Sequence, residues 1–548
     1  MKRLFAILPT PVWLLILFAL LLRLSGLLYG LPLWLIDDEP PFILAALKML
    51  EYKTLVPALY PEVFNGILYY PPLPSYLLLP FFTVALSILT TLFHVPLVEL
   101  KLLVGSDPSL FFVLARIVSV FAGTLSVYLL YRTALSLYES ERAALLSAFL
   151  LATSLLHISL SMVGRHWILF STILVAILYV LTRNNLSEER RYAYSLVLIG
   201  VGCGISMITP LVLVVVLGWY LAFSTKKFSE LFFSRTVWNG GVIGLFLASL
   251  FYLLHSGSTG IVVDITVQHA KTLLAYLISP FTALAYLAPS EPVLIGLGLL
   301  GVLLLIAKKS RFGYIALAFL VAYLSALFWF FRFESRFLLP VVIMLSLSAG
   351  YIVVLVERLH KKGVMTALIV LSAVPLVSAL QFSHLVLQND TRTEARNWIE
   401  THVPSGAKVL VFARLTRIPA NAEAIAELEA ISPEALRTVD KSERLSETPR
   451  QHVLNLSTID NDEVLKSVDA YAITHGYQYV VYEPTHAERF PKTKESFERL
   501  FASTSPAVSL EGLGYTFGLM SNMFTKPFTS LFTSARLGPT IYIYEIPQ

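Results

Sequence analysis

Across 548 residues the chain has one cysteine and little charge, with 14% Asp, Glu, Lys and Arg together against roughly 25% in an ordinary soluble domain. A single thiol excludes an intrachain disulfide and a metal site built on cysteines. Cys203, in the apolar run GVGCGIS, reads as a small residue packed between helices. No P-loop, dinucleotide fingerprint, zinc spacing or nucleophile elbow occurs, and neither an internal repeat nor a polar low-complexity linker is evident. What the chain does have is apolar residues, 56% of the total, in runs long enough to mark an integral membrane protein.

The scarce charge is unevenly spread. Residues 1 to 382 hold 25 basic and 16 acidic residues, and residues 383 to 548 hold 16 and 20. A membrane domain of net +9 is thus expected over 1–382, followed by an α/β domain of net −4 over 383–548, with the boundary at SHLVLQND. The overall +5 then reflects membrane topology and is no sign of a nucleic-acid partner.

Apolar runs near 11–30, 111–131, 142–162, 166–182, 193–208, 210–224, 237–255, 292–307, 314–331, 337–356 and 364–382 suggest about eleven crossings. The basic connectors, among them Arg132 with Arg142, Lys226 with Lys227, and Arg358 with Lys361 and Lys362, fall at alternate loops, as cytoplasmic loops should. The first run lacks a convincing small-residue cleavage site and reads as a retained helix with a cytoplasmic N-terminus. One more run, residues 71–94, would invert this charge parity if it crossed once. It is therefore expected to lie at the outer interface or re-enter, within an external loop over 31–110; a true span paired with a second in VPLVELKLLVG is the alternative. An odd number of crossings places 383–548 outside. There KVLVFA, YQYVVYE and TIYIYEI read as buried strands, and TRTEARNWIETH and DEVLKSVDAYAITHG as amphipathic helices. The apolar stretch 515–532 is expected to lie on the bilayer or over the mouth of the membrane domain. The fold class is mainly α: a polytopic transmembrane bundle with external juxtamembrane segments and a small C-terminal extracytoplasmic α/β domain.

Basic residues on the outer side run against the positive-inside bias and ask for a reason. Arg116, Arg165, His166, Arg332 and Arg336 all fall there, opposite the acidic cluster Asp37, Asp38 and Glu39 just after the first helix. Arg23 sits within the first span and should face the bundle interior. Carboxylates facing guanidiniums suit a reaction that deprotonates an acceptor and expels a lipid-held phosphate, with Asp as base and Arg as phosphate clamp. Pairing of these opposite charges with one another is the competing reading. His157, near mid-span, reads as an interhelical hydrogen-bonded histidine, and Asp264, His269 and Lys271 as a solvated loop.

At these residues the chain resembles the polytopic glycosyltransferases of the C superfamily, which include protein O-mannosyltransferases and lipid A aminoarabinose transferases. The resemblance is carried by IDDEPPFILAALKMLEYKTLVP (36–57), YYPPLPSYLL (69–78), ARIVSVFAGTLSVYLLYR (115–132) with the span after it, ESRFLLP (334–340) and DTRTEARNWIETHVPSGAKVLV (390–411). It implies an inverting transferase using a polyprenyl-phosphate sugar donor, with a glycan, lipid or protein acceptor, working at the outer face of the cytoplasmic membrane. By position Asp38 matches the family's catalytic Asp and Glu39 its partner, while Asp37 adjoins them. Tyr70, Pro71 and Pro72 would shape the donor pocket and Arg336 would meet the lipid phosphate. No cofactor is implied and a divalent metal is not indicated. Two departures leave the sugar and metal assistance open: GRHWILFS (164–171), where many relatives have an acidic residue, and MITPLV (207–212), where many have a lysine. A lipid or glycan transporter is disfavoured by the nearly charge-free lower spans. A binding protein of the envelope without transferase activity is the alternative.

Overall fold

The computed structural model describes residues 10–33, 35–36, 39–68, 70–255, 281–282, 284–330, 334–435, 450–459, 461–502, 504–514 and 526–546. Leucine-rich runs between short polar connectors fold as helices, because only an intrasegment hydrogen-bond ladder satisfies the backbone away from water. The principal ones are α1 (Thr10–Leu24), α2 (Pro40–Glu51), α3 (Leu73–Thr91), α4 (Ser109–Tyr138), α5 (Glu141–Thr153), α6 (Leu155–Ser161), α7 (His166–Leu181), α8 (Glu188–Cys203), α9 (Arg235–His255), α10 (Pro292–Ala307), α11 (Leu339–Arg358) and α12 (Lys362–Leu387). Among the described residues five helices are long and apolar enough to cross a membrane, six if the bent pair α5–α6 is one span. Shorter apolar helices occupy Thr10–Leu24, His166–Leu181, Thr209–Phe223, Pro292–Ala307 and Arg311–Leu327. Each of the eleven expected runs lies on a helix, and the chain is a multi-pass membrane protein.

Close packing within the bundle relies on small residues, as between membrane helices generally. A Cβ on Gly244 of α9 would come within 2.4 Å of the Leu196 carbonyl oxygen on α8, and one on Gly200 within 2.2 Å of the Gly244 oxygen. The α5–α6 pair bends by 60° at Ser154. Arg23 of α1, fully buried, closes the upper end of that break by donating to the carbonyls of Ala152 (3.3 Å) and Leu151 (3.5 Å). Glu291, at the start of α10, closes the other end by accepting from Leu156 N–H and Ser154 Oγ, both at 2.8 Å. The charges match the partial charges of the helix ends they meet.

Arg23 also donates to His157 Nδ1 (2.6 Å). Ser126 Oγ gives its proton to the Gly123 carbonyl (2.7 Å) and so accepts from His157 Nε2 (2.9 Å). This network fixes His157 as the neutral Nε2–H tautomer and fulfils the interior placement expected of Arg23.

Helix α3 is unbroken over 19 residues and carries Pro80 inside it. It is long and apolar enough to cross, as the length of the run implied. Leu78 and Phe82 pack with Ile43 and Ala46 of α2 and with Phe111, Phe112 and Ala115 of α4, with Leu114 and Val118 at the edge. The Leu73 amide donates to the Gly204 carbonyl just beyond α8 (3.0 Å).

After α12 the chain forms α13 (Thr391–His402) and a five-stranded sheet of β1 (Lys408–Phe412), β2 (His452–Asn455), β3 (Tyr479–Tyr482), β4 (Val508–Leu510) and β5 (Ile541–Glu545). The order is β2-β1-β3-β5-β4, with β2 and β3 parallel to β1, and β5 antiparallel to both β3 and β4. Alternate residues feed two cores. Val409, Val411, Ile541 and Ile543 face Ala395 and Ile399 of α13, while Leu410, Phe412 and Val480 face Leu428 and Phe497. The helix expected over 462–476 is broken at Ser467 into Asp462–Lys466 and Val468–Thr474. Of the apolar stretch 515–532, the described end packs on membrane helices: Leu531, with Leu537 just beyond the stretch, belongs to the bundle's core, the Phe528 amide donates to the Pro289 carbonyl (3.0 Å), and Gln381 of α12 donates to the Leu531 carbonyl (3.1 Å).

Candidate active site

The site forms where the turn after α1 meets the start of α4 and the turn before α7. Gly30 takes a left-handed backbone (φ +71°), and a side chain there would press within 2.7 Å of Leu35. The chain thus doubles back under α4 and brings Glu39 to the N-terminal edge of α2.

Glu39 and Arg116 are both fully buried and bonded bidentately, Arg116 Nε to Oε1 at 2.8 Å and Nη2 to Oε2 at 2.7 Å. The third guanidinium nitrogen donates to the carbonyls of Leu27 and Tyr29, both at 2.8 Å. Oε1 accepts a further bond from the Gly164 amide (2.7 Å). Gly164 approaches so closely that a Cβ would meet Ala115 Cβ at 2.9 Å and Glu39 Oε1 at 3.2 Å. Arg116 is thus engaged by Glu39 and main-chain carbonyls, the pairing of opposite charges that stood as the competing reading, and Glu39 accepts three hydrogen bonds, two on Oε1 and one on Oε2. Together they pin three segments: the end of the turn after α1, the first turns of α4 and the 163–165 turn.

Beside this clamp lies an aromatic cluster. His166, fully buried, stacks obliquely between Tyr70 (ring centroids 4.4 Å) and Trp167 (4.3 Å), with Phe42 at 5.3 Å. Neither His166 ring nitrogen has a hydrogen-bond partner among the described residues. The guanidiniums of Arg165 and Arg336 lie within electrostatic reach of it. Arg336, on the short 3₁₀ turn Ser335–Leu338, pairs with Glu334 at 2.6 Å and sits over the Trp167 ring, 5.6 Å from its centre. Arg165 precedes α7 and is buried. Pro71 and Pro72 are buried, and Pro72 opens α3.

Of the residues singled out from the sequence, Tyr70, Arg165, His166 and Arg336 therefore converge, with Pro71 and Pro72 adjoining. Asp37, Asp38 and Arg332 lie outside the described residues, as do Asp264, His269 and Lys271. Asp38 is the chain neighbour of the anchored Glu39. Among the described residues no three His, Cys, Asp or Glu side chains converge as metal ligands. Sequence reasoning missed Phe42 and Trp167, which wall His166, and Glu334, which holds Arg336. Trp167 and Glu334 were legible only as neighbours of residues already chosen, in GRHW and FESRF.

Residues 111–253 match the family model described as dolichyl-phosphate-mannose-protein mannosyltransferase. The matched segment contains the 115–132 stretch singled out in the sequence and lies apart from those at 36–57, 69–78, 334–340 and 390–411. No curated protein matches it by sequence. Among solved structures it is similar to ArnT from Cupriavidus metallidurans bound to undecaprenyl phosphate, at 10% identity, covering 98% of this chain and 99% of that one, with a TM-score of 0.47. It is also similar to the arabinofuranosyltransferase AftD from Mycobacteria (14% identity, 98% and 42% covered, TM-score 0.41) and to the Archaeoglobus fulgidus oligosaccharyltransferase (14%, 88% and 71%, TM-score 0.37). Likenesses this distant decide nothing about chemistry.

Proposed function

We propose that this chain is an inverting membrane glycosyltransferase that moves a sugar from a polyprenyl-phosphate donor to an acceptor hydroxyl on the extracytoplasmic face. The observation that carries the reading is the meeting of Tyr70, Arg165, His166 and Arg336 beside a buried clamp that holds the residue next to Asp38. The match to a family described by a dolichyl-phosphate sugar supports the donor class.

In this reading Asp38 accepts the proton of the acceptor hydroxyl as its oxygen attacks the sugar's anomeric carbon. The bond from that carbon to the phosphate oxygen breaks on the opposite face, and the electron pair leaves with the lipid phosphate. Arg165 and Arg336 stabilise the charge that grows there. Glu39 and Arg116 act as positioning residues. The N-terminus is cytoplasmic, residues 1–382 form the membrane domain, and 383–548 form an α/β domain outside the cytoplasmic membrane. Helix α3 lies with the outer segments, a placement supported by its packing on α2 and on the Phe111–Ala115 end of α4.

The test is release of lipid phosphate from a panel of labelled polyprenyl-phosphate sugars, including slow hydrolysis without acceptor. Wild type should release it with at least one donor, and Asp38→Asn, folded and at normal membrane level, should not. Full activity in Asp38→Asn would sink the assignment. Donor binding without turnover by the wild type would favour a binding protein of the envelope.

A further inference from the structure

We infer that Tyr29 and Asp390 form a positioning contact through which the docked α/β domain sets the loop carrying Asp38; the inference rests on the proposed transferase reading. Tyr29 is buried and belongs to two networks at once. Its side-chain hydroxyl donates to Asp390 Oδ2 at 2.5 Å. Its main-chain carbonyl accepts from Arg116, whose other two nitrogens hold Glu39. One residue therefore has its ring in the junction between the two domains and its backbone in the clamp beside the candidate base.

The Asp390 end is equally fixed. Its carboxylate accepts from the Arg392 amide (3.0 Å), Nε (2.6 Å) and Nη2 (2.7 Å), and so caps α13. Thr391 bonds to Pro539 and Leu537 just before β5, through its hydroxyl to the Pro539 carbonyl (2.6 Å) and its amide to the Leu537 carbonyl (3.2 Å). Gly538, left-handed at φ +96°, passes so near that a Cβ there would lie 2.5 Å from Asp390 Oδ1. A phenylalanine at 29 would fill the same apolar pocket, so packing gives no reason for the hydroxyl. The hydroxyl's bond to Asp390 crosses to the α/β domain. Removing it leaves Asp390 paired with Arg392, so the fold survives while Tyr29 loses the tether that sets its backbone against Arg116. Errors of about 1 Å in placing a reacting group can cost two powers of ten in rate.

The experiment compares full-length wild type, Tyr29→Phe, Asp390→Asn and the double variant, using the donor the wild type turns over. Tyr29→Phe is expected to lower kcat about tenfold with donor KM unchanged and thermal midpoint unchanged. Acceptor-independent hydrolysis should fall in the same proportion, because it needs the same base. The double variant should be no worse than the poorer single one. Unchanged kcat and hydrolysis in Tyr29→Phe would overturn the inference. So would a loss confined to acceptor KM, which a purely docking contact would give. Should Tyr29→Phe fail to accumulate, Asp390→Asn gives the same kcat and hydrolysis readings. Should the wild type release lipid phosphate from no donor, the transferase reading fails by itself, and amide exchange at residues 36–39 tests the link alone. Faster exchange there in Tyr29→Phe than in wild type supports it, and equal exchange overturns it.

Discussion

Glu39 is one of three adjacent carboxylates, and its three accepted bonds tie it to Arg116 and the Gly164 amide. Breaking a buried ion pair from one side strands the other charge, at a cost of about 3–5 kcal/mol. Arg116→Ala and Glu39→Leu should therefore each lower the thermal midpoint and the membrane level sharply. The paired replacement Glu39→Leu with Arg116→Met should recover most of the loss. That contrast with a folded but inactive Asp38→Asn is the check that separates the clamp from the candidate base. The sequence showed opposite charges on one side of the membrane, but adjacency along a chain does not say which carboxylate turns inward. A second carboxylate with a measurable signature lies in the α/β domain. Burial alone would raise Glu427, but hydrogen bonds from His452, Tyr471 and Tyr477 outweigh it and hold the group at about 2. A folded value below the unfolded one means that its stabilisation is present above about pH 4.5 and is lost as pH falls toward 2. Amide exchange in β1–β3 should rise across that window, and Glu427→Gln should flatten the rise.

At the scale of elements, the hydropathy reading located the helices well because apolar run length is what membrane crossing demands. It could not see the 60° break between α5 and α6, since the residues that make the break tolerable, Arg23 and Glu291, are far from it in sequence. Arg23→Leu would orphan the carbonyls of Leu151 and Ala152 and the Nδ1 of His157, each worth roughly 1–3 kcal/mol when buried. Glu291→Gln keeps a carbonyl oxygen for Ser154 and Leu156. A marked drop in thermal midpoint for the first and a slight one for the second is the expected pattern. In the sheet, β1, β3 and β5 were legible as apolar runs. The strands β2 and β4, four and three residues long, are too short to show a period of two. They are strands because β1 and β5 offer them open edges.

For the whole molecule, the fold class was readable from composition and charge distribution, and the apolar stretch 515–532 already pointed to the bilayer or the mouth of the membrane domain, but the individual residues that make the docking were not legible. Leu531 of that stretch and Leu537 just beyond it enter the core of the membrane helices. Leu537→Asp should loosen that docking and expose the 388–390 connector to limited proteolysis. Sidedness can be read from a Cys203→Ala background, because there is no other thiol to label. A Cβ at Gly66 or Gly363 meets nothing within 4 Å. An impermeant maleimide should thus label Gly66→Cys in intact cells and Gly363→Cys only after permeabilisation; the reverse would invert the proposed topology. The charges at the α5–α6 break also bear on how the protein sits in an energised membrane. A lone ion at depth feels the transmembrane potential, about 2.3 kcal/mol per charge for each 100 mV crossed. Arg23 and Glu291 meet the two sides of one break with opposite sign, so when both are ionised the work done on one offsets that done on the other. The bundle can hold both ions without becoming a voltage sensor.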